Sequence, residues 1–93
     1  MYKYLIGKTI LVRLTYVDEF NNLLEKNIIY GKIVKITSDT IDIIRSDNHQ
    51  LFSLPPDMSA IKEAQKGNYF ISSTGESVSN PDYLSMWTIQ VNN

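Results

Sequence analysis

The chain contains no cysteine, and that single absence removes disulfide staples, thiolate nucleophiles and cysteine metal ligands together. Redox logic therefore leaves the compartment open, and stability has to come from packing. Histidine occurs once, as His49 beside Asp47 and Asn48. A Ser/His/Asp triad or a zinc site would have to be built on a residue that already reads as part of a polar turn. The four glycines, Gly7, Gly31, Gly67 and Gly75, are dispersed, so the chain has neither a P-loop nor a dinucleotide-binding fingerprint, and no cofactor is implied. Neither sign of charge dominates: nine basic and ten acidic residues give a formal net charge of -1. No global positive field recruits a phosphate backbone, which disfavours nucleic acid as a partner. No apolar run approaches the length of a membrane span, and the first residues lack the apolar core of a signal peptide. The expectation is a cytoplasmic protein without a membrane partner.

What is present is the composition of a folded domain. Hydrophobic residues make up 43% and charged residues 20% of 93 positions, which fits one globular domain over 1–93 and leaves no room for a second core. From Lys8 to Val17 the residues alternate, with Ile10, Val12, Leu14 and Tyr16 on one face, and this period of two predicts a half-buried strand. Asp18 to Asn22 supply turn formers, and a return strand runs from Leu24 to Ile36 with Gly31 predicting a bend or bulge. Such a bend lets one long strand serve two halves of a curled sheet. Thr40 to Arg45 and Gln50 to Leu54 form the next hairpin, with Ile41, Ile43, Phe52 and Leu54 inward.

Pro55 and Pro56 then remove two backbone donors and stop the ladder. Asp57 is a good N-cap for a short helix over Met58 to Lys66, with Met58, Ile61 and Ala64 on one face and Gly67 as terminator. Asn68 to Ser72 reads as a fifth strand, and Leu84 to Val91 as a sixth with Trp87, Ile89 and Val91 inward. Ser73 to Tyr83 reads as a long loop or a broken strand. The fold class is therefore mainly β: a small SH3-like or Sm-like barrel of five to six strands with one short helix, an OB-type barrel being the rival. Its edge strands leave oligomerisation open.

The candidate site lies in the turns of the C-terminal segment. Asp57, Glu76 and Asp82 each sit in a turn, and Tyr83 follows a Pro-Asp pair. Convergence of those turns at one end of a barrel would make an acidic and aromatic patch, a surface better suited to a protein partner than to nucleic acid. Two-acid hydrolysis would need raised pKa values and a fixed spacing, and no catalytic or metal-binding residue is assigned. A scattered set of cations, Arg13, Lys32, Lys35 and Arg45, is the basis of the alternative, a weak Sm-like nucleic-acid binder.

Leu54-Pro-Pro-Asp57 before a short helix, Thr74-Gly-Glu76, Pro81-Asp-Tyr83, Trp87 and a Gly-containing second strand together resemble a small bacterial family of uncharacterised domains, over roughly Gly7 to Ile89. The resemblance implies a bacterial origin and a set of turns kept as a package, and it implies no activity. The function expected is a non-enzymatic interaction module that offers Asp57, Glu76, Asp82 and Tyr83 to a protein partner, a basic one by charge. An immunity-type protein neutralising a toxin is one concrete version.

Overall fold

The computed structural model describes residues 3–71 and 74–91. The protein is mainly β, with eight strands among these residues. β1 (Thr9–Val17), β2 (Leu23–Ile36), β3 (Ile41–Arg45) and β4 (Leu51–Leu54) form an antiparallel meander. β5 (Ile61–Glu63) follows a 3-10 turn, β6 (Asn68–Ile71) and β7 (Glu76–Ser79) make a hairpin, and β8 (Tyr83–Gln90) returns to the main sheet. The sheet order is β4-β3-β2-β1-β8-β5, with β8 parallel to β1 and antiparallel to β5, while β6 and β7 form a sheet of their own. The strand count exceeds the five to six expected, and β4 and β5 are edges of the main sheet.

Alternation sets the two faces. Ile10, Val12 and Leu14 of β1, Ile29 and Ile33 of β2, Ile41 and Ile43 of β3 and Leu54 of β4 build the main core, with Leu5 from the 3-10 turn Lys3–Leu5. Most of these side chains are wholly buried, each contributing on the order of 1.5–3 kcal/mol by removal from water. The opposite face has its own smaller core: Leu11 packs against Ile71 and Val78 of the β6–β7 hairpin, flanked by Ile28, Tyr30, Tyr69 and Leu84. Tyr16 and Tyr30 are thus both packing residues, on opposite faces.

β2 is long enough to serve two partners, as its length predicts. Residues 23–32 pair with β1 and residues 31–36 with β3, so only Gly31 and Lys32 have both neighbours. The register shift in the second half falls between Ile33 and Lys35, which makes Val34 the extra residue, and not at Gly31. Gly31 has a different purpose. A Cβ there would lie 2.2 Å from the Ile44 carbonyl oxygen, so the absent side chain lets β3 approach.

The expected helix over Met58 to Lys66 is replaced by a 3-10 turn, Met58–Ala60, and β5. Its start is where the sequence places it: Asp57 caps the turn and accepts a hydrogen bond from the Ser59 amide at 3.0 Å. It ends within one turn because Ile61, Lys62 and Glu63 find strand partners in Ser85, Leu84 and Tyr83. A nine-residue helix is marginal alone, and an open sheet edge offers the same backbone groups a better ladder. The segment expected as a loop or broken strand contains β7, paired residue for residue with β6; Ser72 and Ser73 lie outside the described residues. On β8 the inward row is Tyr83, Ser85 and Trp87, with Ser85 buried and bonded to the Trp87 indole N–H at 2.7 Å. Ile89, expected inward, is 38% exposed, because β8 runs beyond the end of the main core there.

Candidate functional site

The four residues singled out by the sequence have separate local duties. Asp82 ties the start of β8 to the start of β1: its Oδ2 accepts from the Thr9 amide at 2.9 Å and from Thr9 Oγ1 at 3.0 Å, and its own amide donates to Thr9 Oγ1 at 3.0 Å. The Thr9 amide holds the Asp82 carboxyl below the ordinary carboxylate range, with the Thr9 hydroxyl and nearby Lys8 assisting. Asp57 is the cap described above. Tyr83 is half-buried against the main core, and its phenol is pushed up chiefly by that burial, then by Tyr4, Glu63 and Asp82. Glu76 is exposed at the first residue of β7.

Asp82 and Tyr83 do share a surface, a polar notch of about 330 Å³ with Lys8, Glu63, Lys66 and Asn80. Asp57 and Glu76 line neither that notch nor the larger cleft described next. The acidic and aromatic patch is therefore represented by one corner only, where Lys8 and Lys66 offset the carboxylates. The cations of the nucleic-acid alternative are divided as well. Arg13 pairs across the sheet with Ile28, Lys32 with Ile44 and, past the bulge, Lys35 with Asp42, so Arg13, Lys32 and Lys35 share a face, with Asp42 opposite Lys35, while Arg45 points to the other. Arg45 is also held by Asp47 through two bonds, of 3.0 Å and 2.7 Å, which keep the Asp47 carboxyl low.

A larger concavity lies elsewhere, on the sheet face beside the β6–β7 hairpin. It is a cleft of about 480 Å³ lined by Ala60, Lys62, Gln65, Tyr69, Leu84 and Met86, with Ser59 and Glu63 at its rim. A second recess of about 100 Å³ shares Tyr69, Leu84 and Met86 and adds Leu11, Arg13 and Ser85. β5 and β8 supply the floor, because Lys62 faces Leu84 across the ladder, and β1 supplies the far side through Leu11 opposite Leu84 and Arg13 opposite Met86. Tyr69 forms the overhang, fixed by its hydroxyl donating to the Gln65 carbonyl at 2.7 Å. Met86 is 68% exposed at the centre of this surface.

The cleft is mostly apolar, with one cation, Lys62, in its lining and a second, Arg13, in the adjoining recess. Among the described residues the one ion pair is Arg45 with Asp47, so Arg13 and Lys62 have no carboxylate partner there. No group of three His, Cys, Asp or Glu among the described residues is placed to hold a metal, and no helix among them is long and apolar enough to cross a membrane. The sequence reading missed this site because its residues come from three strands and a hairpin separated along the chain. One signal was available: Tyr83–Gln90 carries no charge, yet alternation gives it two faces, so both faces needed cover. Compared with protein-family models, with curated proteins and with solved structures, the chain gives no match, and its site is read from its own geometry.

Proposed function

We propose that this chain is a non-enzymatic protein-interaction module and that its binding surface is the cleft between β5, β8 and the β6–β7 hairpin. The observation that carries the reading is Met86, a large apolar side chain two-thirds exposed in a cleft beside half-buried Leu84 and Tyr69. An aliphatic anchor set in a preformed concavity with a polar rim is the anatomy of a binding hot spot. Asp57 and Asp82 support this assignment indirectly, because the first accepts from the Ser59 amide and the second from the Thr9 amide and hydroxyl, which leaves a partner less free capacity.

The SH3-like relationship belongs with this proposal. A four-stranded meander, a 3-10 turn and then a short strand returning toward β1 support it, with β8 intercalated between β1 and β5. The Sm-like nucleic-acid reading is the weaker one: Arg13, Lys32 and Lys35 share a face, but Asp42 lies opposite Lys35, Arg45 is on the other face, and the net charge is -1.

The test is site-specific photo-crosslinking in cells of the source organism. A crosslinking residue at Met86 should trap a discrete partner, and one at Leu51, also more than half exposed, on edge strand β4, should not. Equal trapping at both positions, or none at Met86, defeats the assignment.

A further inference from the structure

The chemistry of the cleft specifies an occupant, and this step rests on the interaction reading above. Three features coincide there. The floor is apolar, built by Leu84, Met86 and Ala60 under the Tyr69 ring. Lys62 stands at one end and Arg13 at the other, and neither has an ion-pair partner among the described residues. Leu84 and Met86 lie between them, since Lys62 is opposite Leu84 and Arg13 is opposite Met86.

The register gives the separation. Lys62, Leu84 and Leu11 form one row across three strands, and Arg13 is two residues beyond Leu11. Two strand spacings and one same-face step put the Lys62 and Arg13 backbones roughly 12 Å apart. In an extended peptide, same-face side chains two residues apart are separated by about 7 Å and those four residues apart by about 13 Å. Only the second spacing matches the two cations, and it leaves the intervening same-face residue over Leu84 and Met86.

We infer that the cleft binds an extended segment of a partner protein with the pattern acidic-x-apolar-x-acidic, the apolar side chain seated against Met86 and the two carboxylates on Lys62 and Arg13. Charge complementarity argues for this occupant over a second copy of the chain, because self-association through this face would bring Lys62 and Arg13 of two copies together. Glu63, whose ladder partner is Tyr83, alternates to the other side of β5 from Lys62 and reaches the cleft only at its rim. The partner is thus acidic at its contact, the reverse of the basic partner that an acidic patch would select.

The test uses the full chain, isotopically labelled, and the peptide Gly-Glu-Ser-Leu-Ser-Glu-Gly followed by amide chemical-shift titration, which detects weak binding. Saturable shifts confined to Lys62, Leu84, Met86, Arg13 and Tyr69 are expected. Replacing either Glu of the peptide by Lys should weaken binding by about fivefold or more, and replacing Leu by Ser by a similar factor. Arg13→Glu together with Lys62→Glu should lose the acidic peptide and gain the Lys-x-Leu-x-Lys version, a swap that a misfolded variant does not produce. Equal binding of acidic and basic peptides, shifts spread away from the cleft, tighter binding of single-stranded oligouridine at the same residues, or a concentration-dependent dimer through Met86 each overturns the inference. If the peptides fail while crosslinking at Met86 still traps a partner, the interaction reading stands and the motif falls; if both fail, both fall.

Discussion

Replacing Gly31 by alanine tests the close approach of β3 to β2. The added Cβ would lie 2.2 Å from the Ile44 carbonyl oxygen, 2.8 Å from Ile43 Cγ2 and 2.9 Å from the Ile44 carbonyl carbon. Carbon–oxygen contacts between strands are normally no shorter than roughly 3.3 Å, so β2 and β3 must separate by about 1 Å. The Ser46 amide and hydroxyl donate to the Tyr30 carbonyl at 2.9 Å and 3.0 Å beside this point, and a shift of that size carries both beyond hydrogen-bonding range. Losing two or three such bonds costs about 2–3 kcal/mol, and strain on the buried Ile43 adds about 1–2 kcal/mol. The sum, about 3–5 kcal/mol, is a large part of the stability of a domain this size, which is on the order of 5–14 kcal/mol. Urea unfolding followed by Trp87 fluorescence should show the midpoint falling by about 2 M for the variant. Gly75→Ala is the control, since Gly75 has φ +76° and open space around it, so alanine meets only backbone strain of about 1–2 kcal/mol. If Gly31→Ala costs less than about 1 kcal/mol, or no more than Gly75→Ala, the close-approach account is wrong.

Other perturbations have smaller, separable outcomes. Asp82→Asn should destabilise at neutral pH and converge on the parent protein in acid: the folded Asp82 carboxyl is lowered by Thr9, so its contribution is present above the ordinary carboxylate range and is lost as pH falls through the folded value. A thermal-stability difference that stays constant from pH 7 to pH 2 would contradict this. Ser85→Ala leaves the Trp87 indole N–H without its 2.7 Å acceptor in a part-buried setting, and should cost about 1–2 kcal/mol in denaturant unfolding, while Ser85→Thr should cost less. Arg45→Gln should change stability by less than about 1 kcal/mol, because both partners of its pair with Asp47 are accessible to solvent; a larger loss would mean that the 46–50 turn depends on that pair.

The strands that pack on the main core were legible because one face of each is buried and period two is then enforced: β1, β3 and β4 lie within a residue or two of their predicted ends. Turn chemistry was legible where one side chain does the work, as at Asp18, whose carboxylate accepts from the Phe20 and Asn22 amides, and at Asp57. The segment from Met58 to Lys66 was misread because its apolar spacing suits a short helix, while the deciding term, the unpaired edge of β8, is contributed from over twenty residues away. β7 was half legible: Glu76-Ser-Val-Ser79 presents one apolar residue, and its strand character comes from pairing with β6. Asp57 was legible as a cap, whereas the tie from Asp82 to Thr9 was not, since a turn residue's bond to a distant strand leaves no local trace. The cleft had no motif at all, because register across β5, β8 and β1 brings its residues together.

The parallel pairing of β1 with β8 also imposes an order on folding. Thr9 and Asp82 are 73 positions apart, whereas the β1–β2 and β3–β4 hairpins close over short turns. The meander can therefore assemble from local contacts while one edge of β1 waits for the last strand, and contacts of such long range are slow to form. During that interval Leu11 has no cover, since the β6–β7 hairpin that buries it is held in place through the same returning segment. A chain in which β8 has not yet paired would expose one edge of β1 together with Leu11, the kind of open apolar strand that pairs with a neighbour when chains are crowded.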